Sequence, residues 1–192
     1  MYTDEELYRE LNRLLDLQFG DIKKAFNAGA DVLCLVGCMN LIEFLGGIRT
    51  NKIGISGKAE QRFKQGVELL GEKYARKSLN ADMLWNLRCG LVHQYVPEVI
   101  ENNVGVFLLW GKKFRLFFDE HTTRPPHFKT GGKIPVQTQI IVDFFIGDLI
   151  NARDKLMEEI RSNAVLRGKL CLTLWWMPRV KEQDENNPLN LV

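Results

Sequence analysis

The 192-residue chain has four cysteines, six prolines and three histidines. Each shortage excludes something. Cys34, Cys38, Cys89 and Cys171 are too sparse for a disulfide scaffold, which would be shorter and denser in cysteine. Cys34 and Cys38 lie four apart in an apolar, helix-like stretch. No second Cys or His pair stands near them, so they read as buried thiols and no metal is expected. An excess of either charge is also missing: 26 basic residues face 24 acidic ones, a net charge of +2. That is not the balance of a dedicated non-specific nucleic-acid binder, although a local basic patch is compatible with it. Internal repeats and low-complexity tracts are absent, which excludes solenoids and compositionally biased linkers. The longest apolar stretches, near Val32–Leu45 and Ile140–Leu149, carry charges or are too short to span a bilayer. The start, Met1-Tyr2-Thr3-Asp4-Glu5-Glu6, is acidic and polar, unlike a secretory signal. The expectation is a cytoplasmic chain with no membrane segment and no cofactor.

What is present is ordinary for a globular domain: 45% hydrophobic and 26% charged residues. A chain of this length buries a real core without staples. Thr3-x-x-Glu6 has the form of a capping box, and Leu7, Leu11, Leu14, Leu15 and Ile22 follow at helical spacing. Gly20 falls within or interrupts this helix. Asp31–Leu45 predicts a second helix, apolar nearly all round and therefore central, with Gly46-Gly47 as its end. A loop over Arg49–Gly57 leads to a third helix, with Ser56 as its expected cap and Phe63, Val67 and Leu70 on its buried side. Asn80 or Ser78 caps a fourth, containing Met83, Leu84, Leu87 and Leu91. Pro97 ends it, because the residue before a proline avoids helical backbone.

Beyond Asn103 the pattern changes. Val104–Trp110 and Phe114–Phe118 flank Gly111-Lys112-Lys113, which reads as a β-hairpin. A basic, proline-containing loop follows from His121 to Val136, and Thr138 opens a long helix through about Ile160. Leu170–Met177 is apolar with two tryptophans, open between a strand and a segment that packs on a partner. The fold class expected is mainly α: a helical bundle over residues 1–161, with the hairpin and basic loop inserted at about 103–137. Residues 162–192 then form a C-terminal docking segment and tail.

The one informative chemical signal lies in the fourth helix. Arg88 and His93 are five apart, and Tyr95 is two further on. In a chain of this composition the Arg-x4-His pair is expected by chance about 0.2 times, and the full trio about 0.004 times. Arg88-x4-His93-x-Tyr95 resembles the active-site motif of HEPN-domain ribonucleases, and most closely that of HEPN toxins paired with small nucleotidyltransferases. The order of helices around the motif, over residues 1–100 and 138–161, is similar to a HEPN bundle. The resemblance implies a metal-independent endoribonuclease, a toxin or defence enzyme, acting as a homodimer with two motifs face to face. It implies RNA as substrate and cleavage by the ribose 2′-OH, leaving 2′,3′-cyclic phosphate ends. Arg88 would stabilise the phosphate and His93 transfer protons. Tyr95 would be the position that a nucleotidyltransferase antitoxin modifies with AMP. Cys89 departs from the family, where a polar residue able to orient the phosphate or the histidine commonly follows the arginine.

The chemistry can be argued from the residues as well. Attack by a 2′-OH needs a base and the departing 5′-oxygen needs an acid, and histidine serves either role near neutral pH. A guanidinium stabilises the charged phosphate with several directed donors. His93 falls near a helix C-terminus, where the dipole favours the protonated ring. On an ideal helix a spacing of five residues separates Arg88 and His93 by about 140°, so a joint site calls for a distortion, a long reach or a second chain.

Plainer roles exist for each residue. Arg88 could pair with a carboxylate such as Glu43 or Asp82, and His93 could be a satisfied helix-end histidine. Glu43, an acid in an apolar helix, needs a partner and could orient Arg88 or face solvent. Arg124, His127, Lys129 and Lys133, with His121, make a positive loop that contacts RNA backbone or is simply solvated. Trp110, Phe114, Phe117 and Phe118 suit base stacking or packing. The alternative class of function is a non-catalytic HEPN-like module that binds RNA or nucleotide, or mediates assembly.

Overall fold

A computed structural model describes residues 2–75, 80–94, 100–101, 104–109, 115–119 and 140–176, with side chains over 2–75, 80–92 and 144–174. The described fold is mainly helical: α1 Asp4–Asn27, α2 Asp31–Thr50, α3 Ala59–Leu69, α4 Ala81–Gln94, α5 Val142–Ser162 and α6 Ala164–Trp176.

Helix α1 starts where the capping box places it. The Thr3 hydroxyl accepts from the Glu6 amide at 3.2 Å, and the Glu6 carboxylate accepts from the Thr3 amide at 2.8 Å. Two of the orphan donors of the first turn are thereby satisfied. Leu7, Leu11, Leu15 and Ile22 form its buried stripe, and Gly20 lies inside the helix.

Helix α2 is the centre of the bundle and packs against α1, α3, α4 and α5. It is long and apolar enough to cross a membrane, contrary to the expectation from its sequence, but 56% of its apolar window is buried inside the bundle. Its apolar surface is used by neighbouring helices. The helix does not stop at Gly46-Gly47; it continues to Thr50, and Asn51 closes it in the left-handed conformation at φ 52°. The glycines serve packing instead of termination. A Cβ on Gly46 would lie 1.7 Å from the Arg62 carbonyl oxygen, and one on Gly66 would lie 1.9 Å from the Ile42 carbonyl oxygen. Helices α2 and α3 therefore cross backbone to backbone, which only residues without a side chain permit.

Ser56 does not cap α3. The helix begins after Lys58 with no side-chain cap, and the loop before it is held from within the helix. Arg62 Nη1 donates to the Ile55 carbonyl at 2.5 Å and to the Lys52 carbonyl at 3.3 Å. Asn80 caps α4, its Oδ1 accepting from the Met83 amide at 3.0 Å; Ser78 and Pro97 lie outside the described residues. The long helix expected from Thr138 is α5, which starts only at Val142, directly after the strand residues Ile140–Ile141, and runs to Ser162.

Residues 164–176 form a helix and not a strand. Asn163 Oδ1 accepts from the Leu166 amide at 3.0 Å, a side-chain cap for α6. Leu170, Cys171 and Leu174 are buried in the common core, and α6 packs on α1 and α5. The bundle thus extends past residue 161. Trp175 and Trp176 end α6, with side chains outside the described residues.

Between α4 and α5 the backbone carries four short strands: Ile100–Glu101, Val104–Leu109, Arg115–Asp119 and Ile140–Ile141. They pair antiparallel in that order, with Phe107 opposite Phe117. The hairpin insertion expected there finds no support beyond this backbone pairing.

Part-buried polar contacts at Asp148 tie α5 to the turn Glu72–Ala75. The Tyr74 hydroxyl donates to Asp148 Oδ2 at 2.5 Å, and Lys73 also pairs with Asp148. Burial, then the bond to Asp148, pushes the Tyr74 phenol well above its ordinary value of 10.0. A raised phenol favours the protonated form in the folded state. Its contribution is therefore complete below about pH 10 and is lost as pH rises beyond that. Tyr74→Phe should destabilise the protein by about 1–2 kcal/mol at neutral pH. Urea melts should show its stability falling less steeply than that of wild type above about pH 10. Identical alkaline profiles would show that Tyr74 is not held in this way.

Candidate functional site

Three helices bring three charged side chains to one place. Glu43 comes from α2, Arg62 from α3 and Arg88 from α4. The glycine crossing lays the Arg62 backbone directly on α2 beside Gly46, one turn from Glu43. Arg62 reaches back to Glu43 Oε1 from Nη2 at 2.5 Å and from Nε at 3.2 Å. Arg88 Nη2 donates to the other oxygen, Oε2, at 2.8 Å. One carboxylate is thus shared by two guanidiniums, and the three side chains keep only 12–15% of their exposure.

Trp85, one turn before Arg88, completes the setting. Its ring lies 5.0 Å from the Arg88 guanidinium carbon and packs against Phe63 at 5.5 Å between centroids. The Arg88 fork is therefore held electrostatically on one side and by an aromatic face on the other. Its Nε is buried without a hydrogen-bond partner.

The triad forms a wall of an open cavity of about 350 Å³. The cavity is also lined by Gln18 of α1, by Asn40, Phe44 and Gly47 of α2, and by Ile53 and Gly54 of the α2–α3 loop. Of the two carboxylates considered for Arg88, Glu43 is the partner; Asp82 pairs instead with Lys64 at 2.5 Å.

The other expected residues distribute as follows. His93 lies in the last turn of the continuous helix α4, about 140° around the axis from Arg88. Its side chain lies outside the described residues, as do Tyr95, Arg124, His127, Lys129 and Lys133. Cys89 is a partly buried free thiol. Cys34 and Cys38 sit one turn apart in the core. The hydrogen bond with Cys34, then burial, pushes the Cys38 thiol well above its ordinary value, so it stays protonated and is a poor nucleophile or metal ligand.

Arg62, Gln18, Asn40, Phe44 and Ile53 were not legible as site residues from sequence. The sequence left Glu43 open between orienting Arg88 and facing solvent; the structure pairs it with two arginines. Nothing in the spacing said that two would come, or that Arg62 would be one.

No protein-family model, no curated protein and no solved structure matches the chain.

Proposed function

We propose that this chain is a metal-independent endoribonuclease of the HEPN type, a HEPN-like helical bundle with a β-hairpin insertion. The observation that carries the reading is the Arg88-x4-His93-x-Tyr95 sequence motif, with Arg88 of α4 held at a cavity wall. In this reading the ribose 2′-OH gives its proton to a histidine and attacks phosphorus. The bond from phosphorus to the 5′-oxygen breaks, and a second histidine protonates that oxygen. The guanidinium of Arg88 stabilises the charge gathered on the phosphate. The angular separation of Arg88 and His93 on one helix favours a homodimer, in which each chain completes the other's site. The basic loop with Arg124, His127, Lys129 and Lys133 would add phosphate contacts. Tyr95 would be the point of control by a nucleotidyltransferase antitoxin. A cytoplasmic toxin or defence enzyme is the setting these parts suit.

A second reading has its own support. Glu43 already occupies Arg88, as in a structural ion-pair cluster, and Cys89 stands where a polar residue is usual. These favour a non-catalytic module that binds RNA or nucleotide, or mediates assembly.

The test is incubation of purified protein with mixed RNA in EDTA, beside Arg88→Ala and His93→Ala. Cleavage by wild type alone, leaving cyclic phosphate ends, is the expected result. Undiminished cleavage by either variant would sink the assignment. RNA binding with no cleavage by wild type would select the second reading.

A further inference from the structure

The two arginines that share Glu43 are held in different ways. Arg62 makes four hydrogen bonds: Nε and Nη2 donate to Glu43 Oε1, and Nη1 donates to the Lys52 and Ile55 carbonyls. Its place is therefore fixed from two sides, by the carboxylate and by the α2–α3 loop. The bare Cα of Gly47 gives its stem room, since a Cβ there would lie 3.1 Å from the Arg62 Cδ. Thr173 of α6 pins the start of the same loop, donating to Asn51 Oδ1 at 2.8 Å. Arg88, in contrast, meets Glu43 through a single bond, from Nη2 to Oε2 at 2.8 Å.

This division limits what Glu43 can do to Arg88. A guanidinium facing a free carboxylate makes two parallel N–H···O bonds, one to each oxygen. Arg88 does not, because Arg62 already occupies Oε1 with Nη2 at 2.5 Å and Nε at 3.2 Å. The charge of the carboxylate is also divided between two cations. All three side chains keep only 12–15% of their exposure, so water screens little of that attraction. Each arginine is thus held less tightly than it would be alone with Glu43. Without Arg62, both oxygens of the carboxylate would be open to Arg88.

We infer that Arg62 is a positioning residue, which occupies one oxygen of Glu43 and so limits the hold of that carboxylate on Arg88 to one hydrogen bond. The α2–α3 loop, bound to the same guanidinium, sets where Arg62 stands and takes part in the restraint. The effect on cleavage rests on the ribonuclease reading; the effect on the motion of Arg88 does not.

NMR of the arginine side-chain nitrogens in the full chain tests this, with each guanidinium assigned through its own side-chain carbons. In wild type, rotation of the Arg88 guanidinium about Nε–Cζ should be faster than that of Arg62. Arg62→Met leaves Glu43 paired one-to-one with Arg88. There the rotation of Arg88 should slow on the order of tenfold, the effect of one added charge-assisted hydrogen bond. Adding Glu43→Gln to Arg62→Met removes the charge of the carboxylate and should restore rotation to the wild-type rate or above. RNA cleavage should follow the same order, falling on the order of tenfold in Arg62→Met and rising again in the double variant. A residue that only supported the fold would leave the double variant no better than the single one. Arg88 rotating as slowly as Arg62 in wild type overturns the inference, and that comparison stands even where Arg62→Met does not fold. An unchanged Arg88 rate in folded Arg62→Met overturns it as well. Rates in the expected order without RNA cleavage by wild type leave Arg62 in this role and remove the ribonuclease reading.

Discussion

Gly46→Ala should destabilise the protein by about 3 kcal/mol or more, among the larger effects a single methyl group can have. The added Cβ would lie 1.7 Å from the Arg62 carbonyl oxygen and 2.5 Å from the Gly66 amide nitrogen. Both are backbone atoms in the middle of a helix, so neither can rotate aside. Relief requires α3 to move off α2 as a unit, which opens the core around Phe63 and Val67. Against this, alanine is favoured over glycine in a helix by about 1 kcal/mol, a gain too small to compensate. Gly66→Ala should behave alike, its Cβ meeting the Ile42 carbonyl oxygen at 1.9 Å. Chemical denaturation of the two variants beside wild type is the check. A variant as stable as wild type would mean that the helices do not cross there. The same crossing seats Arg62 against Glu43.

The second large effect concerns the triad and depends on which member is removed. Glu43→Ala leaves two nearly buried guanidiniums facing each other with no carboxylate. Breaking a buried pair in this way is costly, and about 3 kcal/mol is expected. Arg88→Met is a milder change. It removes one cation and leaves Glu43 paired one-to-one with Arg62, and the methionine stem still covers Trp85. Its destabilisation should be about 1 kcal/mol or less. Equal losses in thermal or urea melts would show that the charges are not shared as described. Function should separate from stability in the same pair of variants. On the proposed ribonuclease reading, Arg88→Met should remain folded and yet lose RNA cleavage, whereas Glu43→Ala should lose both. Full cleavage by folded Arg88→Met would leave Arg88 as a structural residue only.

The amino-acid sequence by itself determined the helical elements whose signals are local. The Thr3–Glu6 capping box, the leucine stripe of α1 and the Asn80 cap are read within a few residues of where they act, and each appears where its chemistry places it. The centrality of α2 was also legible, because a helix apolar on every side has nowhere to go but the middle. Glu43 stood out as an acid within that helix, open between pairing with Arg88 and facing solvent. The Arg88-x4-His93-x-Tyr95 spacing marked α4 as the helix to examine.

Tertiary structure decided the rest, because the deciding contacts join residues far apart in the chain. Gly46-Gly47 read as a helix end, since glycine commonly ends helices; the close approach of α3 makes it a crossing point instead. Leu170–Met177 read as a strand or a segment that packs on a partner; through Trp176 it is helical, and Leu170, Cys171 and Leu174 meet α1 and α5 in the common core. The choice of Glu43 over Asp82 as the partner of Arg88, and the arrival of Arg62 as a second cation, follow from how three helices pack. Periodicity along one helix fixes which face is buried but not which charge on another helix will meet it, so the cavity and the Glu43 shared at its wall exist only in the folded bundle.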